Sequence, residues 1–307
     1  MALEGFFIYI SNKLESIRFG HTKTKYKIID LQELKSVALW RAVFAEFLAS
    51  ILFVYLGAQS AVGRGVVGNT PDNADIIRIS FSFGLAIMAL IQCVGHVSGG
   101  HINPAVSIAM AVSMNISILK CILYCAAQTV GCIIGAFILK GLTPVASHDN
   151  LGMTLLNDAL KPAQGFGVEL LLTFTLCTVI FGTTDPNRAS FGSPAVLIGL
   201  TVALDHFSGI QYTGASMNPS RSLATALAST SERAFEHHWI YWAGPIAGAV
   251  LSALVYKLVI SPYKGIATVE SAVETMLQDQ NMIAIPRDYF KDAKSAKVNE
   301  MNASSNL

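Results

Sequence analysis

Two short stretches interrupt the apolar runs of this chain in the same way. Ser98-Gly99-Gly100-His101-Ile102-Asn103-Pro104-Ala105-Val106 and Thr213-Gly214-Ala215-Ser216-Met217-Asn218-Pro219-Ser220-Arg221 each run small residues into Asn-Pro and then into a helical apolar pattern. Asn is a good N-cap and Pro is favoured at the first helical position, so each stretch reads as a bent loop that opens a helix at its Asn. The rest of the chain is membranous: 52% of residues are hydrophobic and 13% are charged, against about 25% charged in soluble domains. Non-helical backbone at membrane depth is tolerated only where it is buried in protein or lines a cavity. Two such breaks, one in each half, mark where the functional site is to be sought.

Most charges lie before Arg41 or after Lys257. Between them, apolar runs near the ~20 residues a bilayer requires predict spans over 39–60, 76–97, 118–139, 165–183, 194–210 and 239–260. A short helix follows each Asn-Pro, to about Met114 and Leu227. The expected fold is an all-α membrane protein with six transmembrane helices and two re-entrant half-helices. Residues 1–38 and 261–307 read as polar tails, and 39–260 as the membrane domain, built from repeat one (39–140) and repeat two (163–260). The first span of each repeat carries one acid, Glu46 or Glu169. Three spans per repeat is an odd number, so the repeats enter the membrane in opposite directions and the half-helices meet near the middle. Six spans put both termini on one side. More than half of the 21 Lys and Arg lie in the tails, which makes that side cytoplasmic. A multi-pass protein of the plasma membrane is expected.

Net charge is +1, with no basic patch for nucleic acid. No metal-ligand cluster, nucleotide loop or nucleophile–base pattern appears, so neither enzyme, metal nor cofactor is expected. The five cysteines (Cys93, Cys121, Cys125, Cys132, Cys177) lie in apolar segments. Their odd number argues against a fully paired disulfide framework, and they read as small buried hydrophobes. Glu46 and Glu169 read as structural acceptors for the N–H groups of the irregular loops, in preference to proton relays.

Asn103-Pro104-Ala105 and Asn218-Pro219-Ser220-Arg221, set in a six-span frame, resemble the aquaporin (major intrinsic protein) family over about 39–260. An Asn that caps a helix with its side-chain oxygen leaves its amide NH₂ as a donor. Two such donors at mid-membrane would hold a passing water by its oxygen, and the half-helix N-termini would repel protons and cations. The resemblance implies a passive water channel and a homotetramer with one conduit per subunit. It places Arg221 in an outer selectivity filter with Phe83, His206 and Ala215. In that filter Arg221 and His206 would supply donors, and Arg221 would bar cations. His96 is expected at the inner vestibule. The second motif ends in Ser220 where the family pattern has Ala, and the extra hydroxyl is expected to alter local hydrogen bonding only.

Substrate is read at three positions. Glycerol-conducting relatives usually carry a small residue in place of His206, Asp in place of Ser222, and a replacement for the pair Tyr241-Trp242. All three features lean to water. The alternatives are a channel for small uncharged solutes (glycerol, urea, hydrogen peroxide) and a non-conducting adhesion or scaffold protein of the same fold. The C-terminal Ser305-Asn306-Leu307 fits a PDZ-type groove, although so short a pattern also arises by chance.

Overall fold

The computed structural model describes residues 31–62, 73–185 and 192–261. Among these residues are eight α-helices: α1 (Val37–Gln59), α2 (Asn73–Ser98), α3 (Pro104–Val112), α4 (Ile118–Leu142), α5 (Pro162–Thr184), α6 (Pro194–Thr213), α7 (Pro219–Ala228) and α8 (Ile240–Val255). Short 3-10 turns cover Leu31–Lys35 and Val145–Ser147, and a π-turn, Tyr256–Ile260, extends α8. The starts follow local chemistry. Ser36 and Ser117 cap α1 and α4 with their hydroxyls, and α3, α5, α6 and α7 each carry Pro in the first turn, where its missing N–H costs nothing.

Five helices are long and apolar enough to cross a bilayer: α1, α2, α4, α5 and α8 with its π-turn. Six such runs were expected. The missing one is α6, whose apolar pattern is diluted by Asp205, His206, Ser208 and Gln211. It nevertheless packs lengthwise on α2 and on α5. Outer faces are strongly apolar, with Phe44, Leu171 and Val259 all exposed, as expected where the solvent is hydrocarbon.

Close approach of helices is bought with glycine. A Cβ on Gly131 of α4 would strike the Phe47 carbonyl of α1, and one on Gly248 of α8 would strike the Leu170 carbonyl of α5. Phe47 follows Glu46 and Leu170 follows Glu169, so the α1–α4 and α5–α8 contacts are copies of one packing. Between the halves, a Cβ on Gly84 of α2 would meet the Gly199 carbonyl of α6, and one on Gly199 would meet the Gly84 carbonyl. Small residues at such crossings let backbones touch, the usual device where lipid offers no hydrophobic drive.

The half-helices are exchanged between halves: α3 packs on α8, and α7 packs on α4. That places both Asn-Pro starts inside the bundle. The tails expected at 1–38 and 261–307 lie outside the described residues except for 31–38 and Ser261, as does Ser305-Asn306-Leu307.

Candidate functional site

The two breaks have the same backbone conformation, residue for residue. Left-handed φ values fall at Gly99 (95°) and Gly214 (79°), at Gly100 (65°) and Ala215 (51°), and at Ile102 (55°) and Met217 (53°). For non-glycine residues this conformation costs about 1–3 kcal/mol each, and it persists only where the surroundings over-determine it. The two buried glutamates do so here. Glu46 Oε1 accepts from Ser98 Oγ (2.6 Å) and His101 N (2.9 Å), and Oε2 accepts from Ile102 N (2.6 Å) and Gln128 Nε2 (2.8 Å). Glu169 Oε1 accepts from Thr213 Oγ1 (2.6 Å) and Ser216 N (2.9 Å), and Oε2 accepts from Met217 N (2.8 Å). Two tyrosines complete the match: Tyr124 Oη donates to Ser98 O (2.7 Å) and Tyr241 Oη to Thr213 O (3.0 Å).

The asparagines follow from this scaffold. Asn103 Oδ1 caps α3 by accepting from Ala105 N (2.9 Å), and Asn218 Oδ1 caps α7 by accepting from Ser220 N (3.1 Å) and Arg221 N (3.2 Å). Their amides are less free than the sequence implies. Asn103 Nδ2 donates to Met217 O (2.8 Å), and Asn218 Nδ2 donates to Ile102 O (3.0 Å). Each NH₂ thus commits one N–H to the opposite break and keeps the other. Pro104 and Pro219 sit at the first helical positions. Ala105 and Ser220 are fully buried. Thr129 Oγ1 donates to Cys125 O (2.7 Å) and lies 2.7 Å from Ser220 Oγ. Having spent its proton, it accepts the Ser220 hydroxyl, which satisfies the departure from Ala.

Phe83, His206 and Arg221 come together from α2, α6 and α7. The Phe83 and His206 rings stack at 4.4 Å and 18°, and the guanidinium carbon of Arg221 lies 4.9 Å from the Phe83 centroid. All three are buried, with Ala215 fully buried in the break itself. Arg221 Nε and Nη1 and His206 Nε2 find no protein partner among the described residues. His206 Nδ1 lies 2.8 Å from Val202 O. A carbonyl can only accept, so Nδ1 carries the proton and Nε2 of the neutral ring offers a lone pair. In that tautomer Arg221 offers donors and His206 Nε2 offers an acceptor.

A cavity of about 360 Å³ is lined by Lys120, Thr184, Pro194, Asn103, Asn218 and His206 among others, but not by Phe83, Ala215 or Arg221. Apolar side chains such as Ile87, Val106 and Ile180 form much of its wall. His96, expected at the vestibule, is exposed and is not among the lining residues, whereas His101 is. The lining residues of α2 are Ile87, Ile91 and Ser98, a helical stripe that position 96 does not share. His101 Nδ1 lies 3.0 Å from Ser107 Oγ, under the Tyr124 ring. Neither Cys93 nor Cys177 lines the cavity. Cys93 is exposed and Cys125 half-buried, so the reading of all five thiols as buried hydrophobes holds for Cys121, Cys132 and Cys177 only.

Several supporting residues escaped the sequence. Gln128, Tyr124 and Thr129 lie on one face of an ordinary apolar helix, and only the backbone groups they meet give them meaning. Ser222 accepts from Thr154 Oγ1 (2.7 Å) and contacts Ser216 Oγ, which donates to Asn218 O (3.0 Å). That hydroxyl chain ties the linker before α5 to the second break. Asp205, beside His206, did carry a signal, since an acid in an apolar span is functional by default. It is buried at 3% exposure, and its Oδ2 has no partner among the described residues.

This geometry agrees with what the chain is similar to. It is 45% identical over 232 residues to Aquaporin-2 of Bos taurus, covering 75% of this chain and 82% of the relative. It is 44% identical over 245 residues to Aquaporin-4 of Mus musculus, covering 79% and 75%. It is 46% identical over 232 residues to Aquaporin-5 of Rattus norvegicus, covering 75% and 85%. An X-ray structure of the aquaglyceroporin from Plasmodium falciparum superposes with a TM-score of 0.65 at 25% identity, covering 73% of this chain and 98% of that one. Residues 33–256 match the family described as MIP, major intrinsic protein. By its sequence, its two capped breaks and its bundle of apolar helices, the chain belongs to the major intrinsic protein (aquaporin) family of membrane channels.

Proposed function

We propose that the protein is a passive water channel that passes water in single file and excludes ions. The observation that carries this reading is the cluster of Phe83, His206 and Arg221, with His206 lining the same cavity as the two asparagines that cap the half-helices. The remaining N–H of Asn103 and of Asn218 would hold a water by its oxygen, and the N-termini of α3 and α7 add positive potential at the same point. In the filter, the unpaired Nε and Nη1 of Arg221 and the lone pair of His206 Nε2 replace the partners a water leaves behind. The Arg221 charge raises the barrier to cations. Ala215 completes the filter. Glu46 and Glu169 act as positioning residues: all their polar contacts go to loop donors and Gln128, which supports a structural role over proton relay.

Water is favoured over larger solutes by the side chains around the filter. His206 is stacked on Phe83 and fills space that a glycerol backbone would need. Ser222 and Tyr241 are buried and committed to bonds that support the second break. The aquaglyceroporin neighbour keeps glycerol conduction as the second reading. We further read the channel as a homotetramer in the plasma membrane with both termini cytoplasmic, on the basis of family membership and the excess of Lys and Arg in the tails.

Osmotic swelling of proteoliposomes, run in parallel with glycerol uptake, tests the reading. The parent protein should pass water rapidly and glycerol poorly. His206→Gly should admit glycerol, and Arg221→Val should relax selectivity further by removing the fixed charge. A parent that takes up glycerol as readily as His206→Gly would overturn the filter assignment, and one without osmotic response would overturn the water channel.

A further inference from the structure

Cys121 and Cys125 stand one turn apart near the start of α4. Cys121 is buried, whereas Cys125 is half-buried beside Ile122, which is 61% exposed on the outer face. Cys125 Sγ donates to Pro104 O at 3.9 Å. One turn further along, Thr129 receives the hydroxyl of Ser220. A single stripe of α4 therefore seats the first turns of both half-helices, α3 through a thiol and α7 through a hydroxyl.

The spacing decides what this pair can do. Residues four apart on a helix hold their Cβ atoms about 5–6 Å apart, whereas a disulfide needs about 3.5–4.5 Å. Direct oxidation to a disulfide would require bending α4. One atom inserted between the sulfurs supplies the missing length, and soft centres are those that thiolates select. A structural zinc needs four ligands. Among the described residues no group of three His, Cys, Asp or Glu could hold a metal. A trivalent arsenic that already carries one organic substituent needs only two thiols.

We propose that Cys121 and Cys125 form a dithiol site for monosubstituted trivalent arsenicals, and that its occupation loosens the first half-helix. With an arsonous acid RAs(OH)₂, two As–S bonds form and two As–O bonds break. The two thiol protons leave with the two hydroxides as water, and arsenic stays trivalent, so no oxidant or reductant is needed. The adduct has no S–H. The Pro104 carbonyl thereby loses its donor from Cys125, one residue from the Asn103 cap. An aryl arsenical partitions into the bilayer and reaches the half-exposed flank of Cys125 from the lipid.

The test uses the full-length protein in liposomes treated with phenylarsonous acid. Intact mass should show one phenylarsenic per chain, two thiols should be protected from alkylation, and dimercaptopropanol should reverse both. Cys121→Ser and Cys125→Ser should each lose the adduct, whereas Cys93→Ser should keep it. Water permeability of the treated parent should fall severalfold and recover with the dithiol, and Cys121→Ser should be indifferent to the reagent. The second half of the proposal rests on the water-channel reading, so flux of the untreated parent is measured first; a silent untreated parent counts against that reading alone. An adduct that persists in both serine variants would overturn the site. An adduct on the parent with unchanged flux would overturn the coupling to α3.

Discussion

Glu46→Gln is the substitution whose outcome separates a positioning acid from a proton relay. The change is nearly isosteric, but it replaces one acceptor oxygen with a donor. Four donors converge on the carboxylate: Ser98 Oγ, His101 N, Ile102 N and Gln128 Nε2. With the new NH₂ in the place of Oε2, Gln128 can flip and accept from it, because its other partner Ser107 can both donate and accept. The Ile102 N–H cannot adapt and is left buried without an acceptor, which costs about 1–3 kcal/mol. The two bonds kept at Oε1 become neutral and lose roughly half their strength. The total is on the order of 2–4 kcal/mol. Ile102, β-branched and at φ 55°, stores about 1–3 kcal/mol of strain, so the remaining hold no longer clearly exceeds the strain. Ile102 relaxes and takes the Asn103 cap with it. Stopped-flow light scattering on proteoliposomes should show water permeability down by about tenfold or more, since each 1.4 kcal/mol is a factor of about ten in population. The thermal midpoint in detergent should fall as well. Glu169→Gln should cost at least as much, because Met217 N is the sole partner of its Oε2 among the described residues and no side chain there can flip. A Glu46→Gln protein with parental flux and parental midpoint would refute the reasoning, whereas a pure proton-relay role would leave water flux intact.

The remaining predictions are smaller in scope. Ser220→Ala should leave water flux unchanged and cost about 1 kcal/mol of stability or less, the worth of one neutral hydrogen bond; a large loss of flux would mean the hydroxyl faces the conduit rather than Thr129. Gly248→Leu should separate α5 from α8 at the Leu170 carbonyl and lower the thermal midpoint far more than Gly141→Leu, since a side chain at Gly141 meets open space. Outside the spans, burial holds His238 below the usual histidine range. The folded state therefore binds its proton less readily than the unfolded state, so stability is complete above the ordinary histidine pKa and declines as pH falls through it. Protection factors for hydrogen exchange over residues 231–239, taken relative to the intrinsic rate at each pH, should fall on acidification in the parent and stay level in His238→Gln; equal pH dependence of protection in both proteins would count against this assignment.

Local chemistry determined where this chain breaks and what it places at each break. The Asn-Pro starts, the glycine-rich approaches, one acid in each opening span and the single Arg after the second motif are all readable because capping, left-handed backbone and intramembrane charge are properties of a few neighbouring residues. Helix α6 shows the limit of that reading: its buried polar residues dilute the apolar signal of a helix that packs like the others. Tertiary structure alone decided the pairings across the halves. Asn103 meets Met217 O across 114 positions and Asn218 meets Ile102 O across 116, and no local pattern encodes which carbonyl an amide will reach. The same holds for the ring of Phe83 on His206, for the His206 tautomer set by Val202 O, and for His101 taking the lining position expected of His96. Each depends on how helices distant in sequence are rotated against one another, and that rotation is set by contacts such as Gly84 on Gly199, where two backbones touch because neither residue has a side chain.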